Sequence, residues 1–196
     1  MKKFRRKKNK GIVFWITGLS GSGKTRIGKK IKKNIIENYG PTILFSGDNI
    51  RNIFDLKKYS FKDRLKIVKQ YCVLCKNLSN QNINVIFCVV GLMKEVRNWN
   101  RKNIQNYLEI FIKSPLNAVM KLSKKKIYKK KYIQHVVGLD IKPEFPQSPH
   151  IVINNNFDRS INILSKELVK KINKNKTIFT YWINRDKQKN SMKKQF

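Results

Sequence analysis

The chain has 196 residues, enough for one domain with a full core and cramped for two, and 40% of them are hydrophobic. Lys plus Arg number 45 against 11 Asp plus Glu, a formal net charge of +34, so anionic ligands are attracted and salt weakens their binding. Three cysteines build no disulfide framework, and no apolar run approaches the roughly 18 residues of a membrane span, which excludes a stapled secreted module and a membrane-spanning chain; a cytoplasmic protein is expected.

The lysine excess is spread over every predicted helix and both tails, among many Asn and Ile. That is the signature of compositional bias and solvated faces more than of a dedicated polyanion surface, so nucleic acid is a partner allowed but not favoured. Residues 1–10 read as a basic arm. Its run Lys2-Lys3-Phe4-Arg5-Arg6-Lys7-Lys8 imitates a secretory signal, but the apolar stretch behind it is short and runs straight into a glycine loop.

Ile12-Val13-Phe14-Trp15-Ile16 predicts a buried strand, and Ile27, Ile31 and Ile35 predict a helix. Between them Gly18-Leu19-Ser20-Gly21-Ser22-Gly23-Lys24-Thr25 has the pattern G-x-x-x-x-G-K-[ST], in the strand–loop–helix setting that a phosphate-binding loop requires. The backbone N–H groups of the loop, with Gly18, Ser20, Gly21, Ser22 and Gly23, would cradle the phosphates of ATP at the helix N-terminus. Lys24 would reach the outer phosphates and the Thr25 hydroxyl would ligate Mg2+. ATP and Mg2+ are therefore the predicted cofactors.

Gly40-Pro41 breaks the chain before a strand Thr42–Phe45 that ends at Ser46-Gly47-Asp48. A long helix over 61–79 contains Cys72 and Cys75, whose C-x-x-C spacing reads as core packing, with no second pair or nearby histidine to make a metal site. Asn84–Val90 is a near-continuous apolar strand of the kind covered on both faces. A helix over 94–106 leads to a strand Leu108–Ile112, and Ser114-Pro115 reads as an N-cap with proline at the first helical position. The lysine-dominated stretch Ser123–Lys131 and the proline-punctuated loop Gly138–Pro149 are the expected mobile region. Ile151–Ile153 is the last strand, and Asp158 is the expected cap of a final helix carrying Ile161, Leu164, Leu168 and Ile172. Residues 176–196 form a basic tail without a readable pattern.

Strands separated by helices predict an α/β fold with three layers, a parallel sheet of about five strands flanked by helices in the P-loop NTPase manner, over residues 11–175. Ligands of such sheets bind beyond the carboxyl ends of the strands. Among the few acids Asp48 alone follows an early strand there, and Cys88-Val89-Val90-Gly91 supplies none, so Asp48 is the candidate to polarise an acceptor hydroxyl or support the metal, unless it merely caps the turn. Arg51, one turn on, and Arg64 suit an anionic acceptor. The lysines at 124–126 and 129–131 fit a solvated loop or a lid closing on phosphates.

Taken in order, Ile16-Thr17 with the loop Gly18–Thr25, Gly47-Asp48-Asn49-Ile50-Arg51, Tyr59-Ser60-Phe61-Lys62-Asp63-Arg64, and Gly138-Leu139-Asp140 with Pro146 and Pro149 resemble the adenylyl-sulfate kinases. The resemblance spans about Gly11 to Lys171. It implies transfer of the γ-phosphoryl of ATP to the 3′-hydroxyl of adenylyl sulfate, with Lys24 and Asp48 catalytic and Thr25 and Asp48 at the metal. It also implies that Asp48, Arg51, Tyr59 and Arg64 bind the acceptor, and that Lys126, Tyr128 and Lys129 belong to a lid. Departures gather on the acceptor side. Ser46 replaces an acid, Ile67 an asparagine and Gly91 a serine, Lys121-Leu122 stands in place of an Arg-Asp pair, and Glu95–Arg101 follows a divergent branch with Trp99 as a candidate pocket wall. Two other readings stay open: a P-loop kinase of another small anionic or sugar hydroxyl acceptor, and a non-catalytic basic nucleic-acid-binding protein with an ATP site. A homodimer is compatible with the sequence, which does not fix the oligomeric state.

Overall fold

A computed structural model describes residues 10–122 and 135–174. The order of elements is β1 (Val13–Thr17), α1 (Lys24–Tyr39), β2 (Thr42–Ser46), α2 (Gly47–Ile53), α3 (Phe61–Asn80), β3 (Asn84–Val89), α4 (Lys94–Asn103), β4 (Tyr107–Lys113), α5 (Leu116–Leu122), β5 (Ile151–Asn154) and α6 (Ile161–Lys174). The five strands form one sheet in the order β2-β3-β1-β4-β5, and every pairing is parallel. This is the expected α/β architecture, with strand boundaries shifted by a residue or so from the sequence-based ones.

Alternation along β1 divides the core. Phe14 and Ile16 face α1 and α6, where Ile27, Ile31 and Ile35 meet Leu164, Leu168 and Ile172. Val13 and Trp15 face the opposite layer, against Val68, Tyr71, Cys72, Cys75 and Val96. Both cysteines of the C-x-x-C are fully buried in that layer, and burial pushes the Cys72 thiol up to about 12. They pack as core residues, and among the described residues no cluster of His, Cys, Asp or Glu could hold a metal ion by itself. No described helix is long and apolar enough to cross a membrane.

Several local expectations are corrected. The final helix is capped by Ser160, whose hydroxyl accepts from the Ile163 N–H at 3.3 Å and whose carbonyl accepts from Leu164 at 3.1 Å, and not by Asp158. Ser114 does not cap α5: its hydroxyl is buried without a hydrogen-bond partner, while the Pro115 carbonyl accepts from Val119 at 3.0 Å. The segment Gly138–Pro149 is pinned, not loose. Glu144 N–H donates to the Leu92 carbonyl at 3.0 Å, Arg97 donates to the Glu144 carbonyl at 2.7 Å, and Arg101 holds the Ser148 carbonyl. The lid candidates Lys126, Tyr128 and Lys129 lie outside the described residues, as do nearly all of the basic arm and the whole tail.

Candidate functional site

The glycine loop joins β1, in the middle of the sheet, to α1. Its first glycine is dictated by a close approach: a Cβ on Gly18 would lie 2.5 Å from the Ile112 carbonyl oxygen of β4. Within the loop the Ser22 N–H donates to the Leu19 carbonyl at 3.2 Å, and Lys24, buried, folds its Nζ back onto the same carbonyl at 2.6 Å. From just beyond β5, Asn155 donates through Nδ2 to the Ser22 carbonyl at 3.0 Å. The loop is thus braced by its own Leu19 carbonyl and by the residue that follows β5, and it borders a cavity of about 450 Å³ lined by Gly21, Gly23, Lys24, Thr25 and Asp48 among others.

Asp48 arrives there through α2, a short helix that the sequence pattern did not announce. Ser46, the last residue of β2, caps it by accepting from the Asn49 N–H at 3.2 Å, and Asp48 occupies the first turn, where a carboxylate is favoured by the helix dipole. Gly47 and Asp48 therefore sit at the carboxyl edge of the sheet beside the loop. A second cavity, of about 150 Å³, opens on the other side of them and is lined by Arg51, Tyr59, Arg64, Tyr71, Gly91 and Met93 among others. Ser20, Gly47, Asp48, Val89 and Val90 border both cavities. The smaller cavity gathers Asp48, Arg51, Tyr59 and Arg64, the four residues that the resemblance assigned to the acceptor.

The two arginines are held by Tyr59, whose ring centroid lies 4.5 Å from the Arg51 guanidinium carbon and 5.1 Å from that of Arg64. Arg51 donates to the carbonyls of Leu56 and Lys58 at 2.8 and 3.0 Å. Arg64 donates to those of Tyr59 and His135 at 2.8 and 2.7 Å. Burial, and then the neighbouring Arg51 charge, lowers the Arg64 pKa from its ordinary value. A dianion entering this cavity would meet two planar cations already desolvated in part and aligned by one ring.

Trp99 does not line the cavity; it packs against the α3–α4 core, with the Lys76 ammonium 5.8 Å from its ring. Residues that the sequence reading missed stand at the far end of the larger cavity: Asn155, Phe157, Arg159 and Ile161. Phe157 takes a left-handed backbone (φ 68°), with its N–H donated to the Asn155 side chain at 3.0 Å. The signal available was Asn154-Asn155-Asn156 after the last strand, residues prone to such turns.

Also unread was a buried ion cluster. Glu109, in the middle of β4 and fully buried, lies 3.6 Å from Arg97 and 2.9 Å from Arg101. Burial raises its pKa against the opposing pull of Arg101 and Arg97. The divergent stretch Glu95–Arg101 thereby has a structural explanation, since Arg97 and Arg101, one turn apart on α4, both reach this carboxylate.

Comparison with known proteins agrees with this geometry. The family model described as Adenylylsulphate kinase matches residues 10–154. The cytidine diphosphoramidate kinase of Campylobacter jejuni is 30% identical over 82% of this chain and 98% of its own length. The adenylyl-sulfate kinase of Buchnera aphidicola from Schizaphis graminum is 31% identical over 84% of this chain and 83% of its own. The structure of the Mycobacterium tuberculosis APS kinase CysC, solved with AMPPNP and APS, superposes with a TM-score of 0.76 at 24% identity, covering 85% of this chain and 99% of that one.

Proposed function

The chain belongs to the adenylylsulphate kinase family, and on that premise we propose that it phosphorylates a ribose hydroxyl of a small nucleotide, adenylyl sulfate in the first place, with ATP as donor. Membership makes it a P-loop phosphotransferase acting on a hydroxyl of a small molecule; the identity of that molecule is the step added here. The observation that carries the reading is the position of Asp48 on the wall shared by the loop cavity and the arginine cavity.

In this reading the loop N–H groups and Lys24 hold the donor's phosphates, and Arg51 and Arg64 exchange backbone carbonyls for the anionic group of the acceptor. Asp48 accepts a hydrogen bond from the acceptor hydroxyl and takes its proton as the new O–P bond forms and ADP leaves. Little covalent work falls to the protein; positioning and charge stabilisation do most of it. The donor set fits Mg2+, because Thr25 and Asp48 bring a hydroxyl and a carboxylate to one cavity, and this ion completes its shell with phosphate oxygens and water instead of a protein cage. When bound, it would neutralise charge on the transferring phosphoryl group.

A second acceptor, cytidine diphosphoramidate, is favoured by a specific observation. Gly91 borders the smaller cavity, Ile67 is buried beside Val68 and Tyr71 of its wall, and Ser46 borders the adjoining loop cavity, while the Campylobacter jejuni relative matches over nearly its whole length. Labelled ATP offered with adenylyl sulfate, with cytidine diphosphoramidate, with simple sugars and with RNA ends tests the proposal. Label on either nucleotide supports it and selects between them; transfer only to a sugar or a nucleic acid end, or to none, overturns it.

A further inference from the structure

The smaller cavity has a polar group that nothing above employs. Tyr71 is on α3, 4% exposed, with its ring 5.1 Å from that of Phe87 on β3. Its hydroxyl is buried and has no hydrogen-bond partner, yet Tyr71 lines the cavity together with Asp48, Arg51 and Tyr59. The hydroxyl also lies within electrostatic reach of those three groups: after burial, which raises its pKa, Arg51 lowers it and Asp48 and Tyr59 raise it. A phenol that merely filled the core would do better as phenylalanine, because an unsatisfied buried hydroxyl costs free energy without return.

The neighbours of Tyr71 indicate what it meets. The α3 residues on the cavity wall are Phe61, Arg64, Val68 and Tyr71, and Val89, Leu92 and Met93 complete an apolar floor. Ile67, one turn before Tyr71 and buried with it, offers no polar atom. Arg51 and Arg64, engaged with carbonyl oxygens and the Tyr59 ring, supply charge for the anionic end of a ligand, whereas Tyr71, packed against Val68 and Phe87, offers a neutral hydroxyl that suits an uncharged polar atom. We propose that the Tyr71 hydroxyl is an acceptor-specificity group, hydrogen-bonding the nucleoside half of the acceptor nucleotide at its base edge or ribose. This rests on the reading of the cavity as the acceptor site. Leaving one hydroxyl unsatisfied until the ligand arrives gives discrimination, since a site built around a polar contact rejects molecules that cannot make it.

The test is Tyr71→Phe, compared with wild type in thermal melting without ligands and in steady-state kinetics with each acceptor. The expected result is a melting temperature equal to or above wild type, an unchanged KM for ATP, and kcat/KM for the preferred nucleotide lowered roughly 10- to 100-fold. A variant that melts lower would reveal a structural partner for the hydroxyl and overturn the proposal; so would wild-type kcat/KM with every acceptor. Tyr71→Leu guards against a subtle packing change: it should lose no less acceptor efficiency than Tyr71→Phe, and a Tyr71→Leu enzyme of wild-type acceptor efficiency also counts against the role. Failure of the acceptor reading itself shows separately, in a wild-type protein that phosphorylates none of the nucleotides, and that result sinks both.

Discussion

Glu109→Ala strikes the one carboxylate in the middle of the sheet. The side chain is fully buried; Arg97, 8% exposed, is 3.6 Å away, and Arg101, 40% exposed, is 2.9 Å away. Removing one member of a buried ion pair costs about 3–5 kcal/mol, because the surviving charge loses its partner without regaining water. Here the two survivors differ. Arg101 is exposed enough to be rehydrated and still reaches the Ser148 carbonyl, so its share is small. Arg97 stays buried but retains the Glu144 carbonyl at 2.7 Å and a weak contact with that of Phe145 at 3.5 Å, which places the loss at the lower end, about 3 kcal/mol. Urea unfolding followed by tryptophan fluorescence measures it, provided the m-value is unchanged. The double variant Arg97→Met/Glu109→Leu, which removes both charges and keeps most of the volume, should recover at least half of the loss. A single-variant cost below about 1 kcal/mol, or a double variant worse than the single, would refute the account.

The remaining predictions concern the loop and acid pH. Lys24→Ala should lower acceptor-dependent ATP turnover roughly 100- to 1,000-fold or more while the circular dichroism spectrum is retained; wild-type-like turnover would end the role assigned to the loop. His150 accepts the Glu109 N–H through Nδ1 at 2.8 Å, and burial, followed by the Arg101 charge, lowers its pKa from 6.5. A lowered pKa means that the fold prefers the neutral ring: the stability it contributes is complete above pH 6.5 and is lost as pH falls through the folded-state value below that. An NMR titration should place the His150 midpoint below 6.5, and His150→Ala should flatten the fall in stability on acidification; a midpoint at or above 6.5 contradicts the assignment.

Much of the fold was legible because its signals are local. The apolar run after the basic arm, the glycine pattern and the isoleucines at helical spacing each specify their element without help from distant residues, and β1, the loop and α1 follow directly. What escaped depends on residues far apart in sequence. Glu109 reads as an ordinary strand residue until Arg97 and Arg101 are brought against it across the α4–β4 turn and His150 arrives from 41 positions away. The pinning of Gly138–Pro149 is invisible for the same reason: prolines and glycine announce a loop, while the bonds that fix it come from Leu92, Arg97 and Arg101.

The departures on the acceptor side find their reasons in such contacts. Ser46, standing where the resemblance expects an acid, caps α2 and so sets the turn that presents Asp48. Gly91, where a serine is usual, has a left-handed backbone (φ 42°), and a Cβ there would lie 3.0 Å from Val89 Cγ1 and 3.4 Å from the indole of Trp15, which packs beneath it. Ile67 adds apolar volume to the layer under the cavity, and polar capacity on that face passes to the Tyr71 hydroxyl one turn later. The ion cluster completes the arrangement, since Arg97 holds the Glu144 carbonyl, the Glu144 N–H holds the Leu92 carbonyl, and Leu92 and Met93 wall the cavity. On the proposed reading of the two cavities, Glu109→Ala should therefore raise the KM for the acceptor before the KM for ATP, since the glycine loop is braced independently by Asn155.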